Sequence, residues 1–314
     1  MINYQIICPL CSSNSTTKIE TINREQIIYL YKKDFGIDVS YLLKNADLDY
    51  YECSSCKLRF FYPLIVGDEK FYNALQRVCD WYYMDTKEEY IYVKNYIKPD
   101  DKVLEVGCGK GYFFKHISTK TKYYIGLELN KKAKETAESN GIKVENITVE
   151  DYSKKYPETF DVVVSFQVLE HVSDPKGFIE AKIKLLKKGG LLIIAVPSED
   201  SFIRYAANVT LNLPPHHVTR WSDETLKKIA EIYNLKMIDL YHEKVQEGHK
   251  VWFITTVLNS LFIPPHRLID LSLKWKLINK FSEKLARLIK EKLKEELLPN
   301  GHTVVCIYKK DLVL

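Results

Sequence analysis

Glu105-Val-Gly107-Cys108-Gly109-Lys-Gly111-Tyr112 is the stretch whose reading decides the fold. It follows the apolar run Lys102-Val-Leu-Glu-Val106 and opens a helix. Small residues where a strand turns into a helix let the backbone approach a ligand closely. The third glycine stands at 111 and position 112 is Tyr, so the pattern is G-x-G-x-G, with an acid two residues before the first glycine. A dinucleotide fold wants its third glycine at 112 for helix–strand packing, and turns helix amides toward a pyrophosphate. The loop fits that need poorly.

Outward from the loop, short apolar runs alternate with amphipathic stretches. Tyr123-Tyr-Ile-Gly-Leu127 reads as the second strand, 131–140 as a helix stopped by Gly141, and 143–146 as a short third strand. Asp161-Val-Val-Val-Ser-Phe166 and Leu191-Leu-Ile-Ile-Ala-Val196 are continuous apolar runs, as strands buried on both faces should be. Between them 175–188 reads as an amphipathic helix stopped by Gly189-Gly190, and Ser222 caps another helix running to about 234. Thr303-Val-Val-Cys-Ile-Tyr308 reads as a last strand. This alternation predicts an α/β fold with a doubly wound, mostly parallel sheet. Glu128 ends the second strand, where a carboxylate can accept both ribose hydroxyls of a nucleoside; the alternative is a solvated strand end.

Three motifs together resemble the class I S-adenosylmethionine-dependent methyltransferases. The glycine loop looks like that family's first motif. Phe160-Asp-Val-Val-Val-Ser-Phe166-Gln167-Val-Leu-Glu170-His171-Val-Ser-Asp-Pro175 resembles the segment after its fourth strand, and Leu185-Leu-Lys-Lys-Gly189-Gly190 with 191–197 the segment around its fifth. The resemblance covers about 100–245 and implies a seven-stranded sheet closed by an antiparallel strand at 303–308. It implies that Glu105 orients the loop or meets the methionine amino group. Gly107, Gly109 and Gly111 let the cofactor lie on the backbone, with Cys108 as a packing residue. Glu128, with Leu129 beside it, binds ribose; Glu150 or Asp151 sits near the adenine; Phe166 and Gln167 flank the cofactor. Methyl transfer needs alignment and exclusion of water, and a base where the acceptor is a hydroxyl or a carbon acid. His216 and His217, in Leu213-Pro-Pro-His-His-Val218, and His171 are the candidates, against a plain reading as hydrogen-bonded loop histidines. No Asn/Asp-Pro-Pro-Tyr/Phe and no Pro-Cys follows the fourth strand, which argues against nucleic-acid bases as acceptors.

Seven cysteines include two pairs, Cys8-Pro-Leu-Cys11 and Cys53-Ser-Ser-Cys56, separated by 41 residues. Each pair can form a knuckle, and together they offer four thiolates to one structural zinc ion. Ser12 and Lys57 stand where a knuckle often has glycine. The pattern resembles methyltransferases with an N-terminal zinc-binding module, including sugar methyltransferases found with polysaccharide biosynthesis. Trp81, Tyr82 and Tyr83 precede the first strand, and at least one of them is expected to cap the cofactor; the alternative is packing of the module onto the core.

The divisions expected are a zinc module at 1–65, an aromatic connecting or lid segment at 66–99, a cofactor-binding core at 100–245, a helical insertion at 246–300 and a closing strand at 301–314. In the insertion Ile278, Phe281, Leu285, Leu288, Leu293 and Leu297 form a helical stripe among many lysines, suited to a solvated docked helix or an anionic membrane surface. The apolar run 251–265 is too short and broken to span a bilayer, and no signal peptide is visible. The expected place is the cytoplasm, with a solvated docked helix as the first reading of the insertion and peripheral membrane contact through 251–298 as the alternative. Among 314 residues, 46 basic and 41 acidic side chains leave a net charge of +5, too little for a dedicated nucleic-acid coat. The reading is therefore methyl transfer to oxygen or carbon of a small-molecule, sugar or lipid-linked glycan acceptor. Its alternatives are an RNA methyltransferase whose zinc module holds nucleic acid, and a non-catalytic scaffold of the same fold.

Overall fold

The apolar runs of the central chain become the strands of one sheet. The computed structural model describes residues 5–44, 46–79, 82–262 and 267–311. Its first part runs β1 (Thr16–Ile22), α1 (Arg24–Phe35), α2 (Ser40–Leu43), β2 (Leu48–Cys53), β3 (Arg59–Tyr62), α3 (Glu69–Val78) and α4 (Glu88–Val93). The core follows as β4 (Val103–Val106), α5 (Tyr112–Ile117), β5 (Tyr124–Leu127), α6 (Lys131–Ser139), β6 (Val144–Glu145), α7 (Val149–Lys155), β7 (Phe160–Phe166), α8 (Pro175–Leu185) and β8 (Leu186–Pro197). The chain ends with β9 (Thr219–Arg220), α9 (Asp223–Ile232), β10 (Leu235–Lys244), α10 (Lys250–Phe262), α11 (Leu273–Ile289) and β11 (Asn300–Lys310).

The large sheet has the order β10-β11-β8-β7-β4-β5-β6. Pairings β4–β5, β4–β7, β5–β6 and β7–β8 are parallel, while β11 is antiparallel to both β8 and β10. This is the doubly wound, mostly parallel seven-stranded sheet expected, closed by an antiparallel strand. Ligands bind in such sheets beyond the carboxyl ends of the strands. Side chains cap the helices that return from those ends: Asn130 accepts from Ala133 N–H, Thr148 from Asp151, Asp174 from Gly177 and Ser222 from Thr225. Each such cap contributes about 1 kcal/mol.

A second sheet, β1-β2-β3-β9, is antiparallel throughout. Its last strand comes from the far side of the sequence, pairing Arg59 with Arg220 and Phe60 with Thr219. The N-terminal elements are therefore stitched to the core: Cys8, Leu10, Cys53, Cys56 and Phe60 share one buried cluster with Leu104, Val163, Ile194 and Trp221.

Two local expectations need correction. The helix expected over 175–188 ends at Leu185, and β8 takes over from Leu186, where Gly190 packs beside the Asp161 carbonyl at a distance only glycine tolerates. The apolar stripe of the insertion is only partly covered, with Ile278, Leu285 and Leu293 half-buried. On α11 the buried residues are Ser282 and Ala286, whereas Phe281 and Leu288 stand 62% and 69% exposed. Small residues let α11 lie close against α10, Ile278 and Leu285 are half-buried, and Leu273, Leu277, Phe281 and Leu288 are exposed. No helix among the described residues is long and apolar enough to cross a membrane.

Candidate functional site

The glycine loop joins β4 to α5 with three backbone positions of positive φ: Gly107 at 73°, Gly109 at 53° and Gly111 at 74°. A Cβ at Gly107 would stand 2.5 Å from Val168, and one at Gly109 2.6 Å from Tyr83. Both the conformation and the crowding thus require glycine. Glu128, from the end of β5, holds the loop: one carboxylate oxygen accepts the Gly109 N–H at 2.8 Å and the other accepts the Asn130 N–H at 2.7 Å. Burial raises its pKa against those bonds. Glu105 is buried behind the loop, accepting a hydrogen bond from the Tyr124 hydroxyl, and burial lifts its carboxyl to about 8. It does not line the cavity, a placement that suits orienting the loop better than touching a ligand. Cys108 packs against Gly126, and burial pushes its thiol well up.

The loop is one wall of a cavity of about 1160 Å³. Leu129 and Glu150 line it as well; Asp151 does not. Asp151 stands one position further round α7, paired with Lys154 at 2.8 Å in solvent. The structure thus separates two acids that the sequence left as alternatives. Phe166 is buried at the end of β7 against Tyr90 and Phe113, with ring centroids 4.7 and 4.8 Å away. Gln167 follows at φ 55° and donates to the Thr303 hydroxyl at 3.3 Å. Tyr82 and Tyr83 lie over the cavity; Trp81 is outside the described residues.

The same cavity is lined by His171, His216 and His217. Their ring centroids are 4.4 to 4.8 Å apart. His171 Nδ1 donates to the His216 carbonyl at 2.6 Å, His216 Nδ1 to the Leu211 carbonyl at 2.8 Å, and His217 Nδ1 to the Asn212 side-chain oxygen at 2.8 Å. Burial lowers His171 to about 4 and holds the other two well below the usual imidazole range, so all three are neutral at pH 7. Glu170, from the turn after β7, is buried beside them, and burial raises it to about 8. Sequence reasoning named Glu170 only as part of a motif. It missed Tyr72, Glu243 and His302 on the same cavity, because they come from α3, β10 and β11 with no local motif to mark them. Glu243 accepts the Thr303 N–H at 2.9 Å and is raised to about 7, chiefly by burial.

Away from the cavity, the four paired cysteines meet. Cys8 and Cys56 sulfurs are 3.5 Å apart, as are those of Cys11 and Cys53, and all four lie within 4.8 Å of one another. That is far beyond the ~2.05 Å of a disulfide and near the roughly 3.8 Å of thiolates around one tetrahedral zinc. Ser12 and Lys57 carry positive φ, 59° and 63°, the knuckle conformation that glycine would adopt without strain. The donor set fits zinc, and four sulfurs leave no open position for chemistry.

With this geometry in hand, comparisons with known proteins are informative. Residues 82–240 match the family described as a methyltransferase domain. A ubiquinone biosynthesis O-methyltransferase of Vibrio atlanticus is 38% identical over 95 residues, 28% of this chain and 40% of that one. The protein of the same name from Salmonella typhimurium is 31% identical over 156 residues, 43% of this chain and 64% of that one. The chain therefore spans less than two thirds of the length of these relatives. Among solved structures, a chain in the complex between the Haloferax volcanii Trm112 methyltransferase activator and a methyltransferase superposes with a TM-score of 0.50. It is 14% identical, with 77% of this chain and 96% of that one covered, a likeness of fold.

Proposed function

The chain belongs to the methyltransferase-domain family, and we propose on that premise that it moves a methyl group from S-adenosylmethionine to oxygen or carbon of a small-molecule or glycan-type acceptor. The observation that carries the reading is a single cavity lined both by the glycine loop with Glu128 and by the histidine cluster. At about 1160 Å³ it exceeds the ~300–1,000 Å³ of an ordinary ligand pocket, which suits two ligands lying end to end.

The cofactor side fits its ligand. Three left-handed glycines bare the backbone, Glu128 and Glu150 offer carboxylates to hydroxyl and amino groups, and Phe166 gives an apolar surface. When bound, S-adenosylmethionine supplies a methyl group already activated on a sulfonium. The chain's own work is to align the acceptor atom with that carbon and to exclude water. Tyr82 and Tyr83 close over the cavity for the second task. The wall of His171, His216 and His217, the candidates for acceptor activation, meets the reacting group of the acceptor.

An acceptor carried in or on a membrane accords with the outer face of α11. Leu273, Leu277, Phe281 and Leu288 are exposed at spacings that put them on one face, with Lys276, Lys280, Lys284 and Arg287 flanking them. Such a face suits peripheral contact with an anionic bilayer, and through it a lipid-linked glycan.

The test is incubation of the zinc-replete protein with methyl-labelled S-adenosylmethionine and an extract of its source cells, with Gly107→Arg as control. Label in the small-molecule or lipid fraction, lost in the control, supports the proposal. Label in RNA replaces the acceptor class. No label in any fraction, with no cofactor binding by calorimetry, makes the chain a scaffold.

A further inference from the structure

We infer that His171, His216 and His217, together with Glu170, form a binding site for a divalent transition-metal cation, distinct from the four-cysteine site. One ring nitrogen of each histidine lies within 4.8 Å of the others. The argument rests on where the protons are. Each Nδ1 faces an oxygen that can only accept: the His216 carbonyl, the Leu211 carbonyl and the Asn212 amide oxygen. Each Nδ1 therefore carries the ring proton, and each Nε2 presents a bare lone pair. Metal-ligating imidazoles are held in this way, with the far N–H donated to a carbonyl or carboxylate that fixes tautomer and ring orientation.

Glu170 supplies the independent observation. Its side chain is 1% exposed, and neither carboxylate oxygen has a hydrogen-bond partner among the described residues. Oε1 stands 3.6 Å from His171 Nε2 and 3.9 Å from His217 Nε2, too far for a protonated carboxyl to donate well to either. A buried carboxylate left without a donor costs several kcal/mol, and native structures rarely keep one. Here it faces the Nε2 lone pairs of His171 and His217, with the Lys87 ammonium acting on it from beyond salt-bridge distance. A cation on the three ring nitrogens answers their lone pairs and the neighbouring carboxylate together. The Tyr82 hydroxyl stands 3.4 Å from His216 Nε2. A single long contact of that kind leaves the other nitrogens and Glu170 unanswered.

The ligand chemistry narrows the ion. Three imidazoles and one carboxylate suit borderline cations such as zinc, cobalt(II) or nickel rather than calcium or magnesium, which prefer oxygen. Closing to a metal–nitrogen distance of ~2.0–2.1 Å needs the rings to draw together by small rotations. With the three histidines as ligands and Glu170 as a neighbouring charge, the fourth coordination position faces the cavity that the cluster lines. On the methyl-transfer reading, and only there, that position takes the acceptor's reacting oxygen, and the histidines act as ligands rather than as bases. Binding of the ion does not depend on that reading.

Cobalt(II) is the probe. The whole chain, stripped by chelator, is titrated with Co2+ and its absorption recorded. The four-cysteine site gives intense thiolate-to-cobalt charge-transfer bands; a nitrogen–oxygen site gives only weaker ligand-field bands. The expected result is two ions per chain. In His216→Gln and in Glu170→Gln the affinity for the second ion falls at least tenfold while the charge-transfer bands persist. Those bands mark a folded N-terminal region, and thermal unfolding of each variant checks the core. Should His216→Gln not fold, Glu170→Gln and His171→Asn decide. One ion per chain in the wild type overturns the inference, as does a second ion held with undiminished affinity by a folded variant. No activity enters the readout, so failure of the methyl-transfer proposal leaves the result intact.

Discussion

Glu105→Gln tests the electrostatics beneath the glycine loop. Glu105 is 1% exposed, and burial raises its carboxyl from an ordinary 4.5 to about 8, with the Tyr124 hydroxyl donating to it. Because the folded pKa is raised, the native chain holds a proton here that the unfolded chain has released. The stability linked to this group is fully present below about pH 4.5 and is lost as pH rises through about 8. The slope is about 1.4 kcal/mol per pH unit, or roughly 5 kcal/mol over the whole window. Glutamine keeps an acceptor for Tyr124 and cannot ionise. Near pH 5 the two proteins should therefore differ little, and the variant's relative stability should climb by about 1.4 kcal/mol per unit to pH 8 and then level off. Urea unfolding of both proteins from pH 5 to 9 measures this, with the denaturant slope checked for constancy. Glu170, Glu243 and the histidines titrate in both proteins and cancel in the difference. A stability difference that stays flat with pH would refute the reasoning.

Gly109→Ala should lower stability by about 1–2 kcal/mol through its left-handed φ and weaken cofactor binding at least tenfold by pushing Tyr83 aside. Adding Tyr83→Ala should recover part of the calorimetric affinity by removing the ring that a Cβ would meet at 2.6 Å. Tyr31→Phe removes the 2.8 Å hydroxyl donor of the Leu213 carbonyl, which keeps the His216 and His217 N–H groups, and should cost about 0.5–1.5 kcal/mol in thermal or urea unfolding. Leu277→Asp with Phe281→Asp, both on the exposed face of α11, should change stability by under ~0.5 kcal/mol per site. Flotation with vesicles of anionic lipid should drop severalfold, and unchanged flotation would remove the membrane from the proposal. Cys11→Ser takes one sulfur from the four-cysteine site and should reduce acceptor turnover far more than cofactor affinity, measured as kcat against calorimetric Kd.

The sheet was legible because β7 and β8 are buried on both faces and so spell continuous apolar runs, and because glycines or caps punctuate the helices between them. The glycine loop was legible because its conformation admits little else. The choice between Glu150 and Asp151 was not, since adjacent residues on a helix point about 100° apart and the register of α7 is set by the Thr148 cap. The buried face of α11 misled for a related reason: close approach of two helices selects Ser282 and Ala286, and a hydrophobic pattern cannot reveal that choice. Glu170 carries no local sign of being unpartnered, because what surrounds it comes from residues 216–219.

The N-terminal region bears on the histidine cluster more than on the glycine loop. His216 and His217 lie in a segment without strand or long helix of its own, held mainly from outside. The Tyr31 hydroxyl of α1 donates to the Leu213 carbonyl, Gly67 N–H to the Pro215 carbonyl at 2.8 Å, and Phe61 N–H to the Val218 carbonyl at 3.0 Å. β9, two residues beyond His217, completes its pairing on β3. Cys53 ends β2 and Cys56 stands three residues before β3, so the four-cysteine site fixes the turn that sets the position of β3. Force on that turn passes through β3 to β9 and so to the histidines. The glycine loop, by contrast, is braced by Glu128 within the core sheet and by Gly107 and Cys108 N–H groups on the Leu127 carbonyl. An ion held by the four cysteines would thereby act on the histidine cluster more than on the glycine loop, which is why loss of a single cysteine ligand should separate acceptor turnover from cofactor binding.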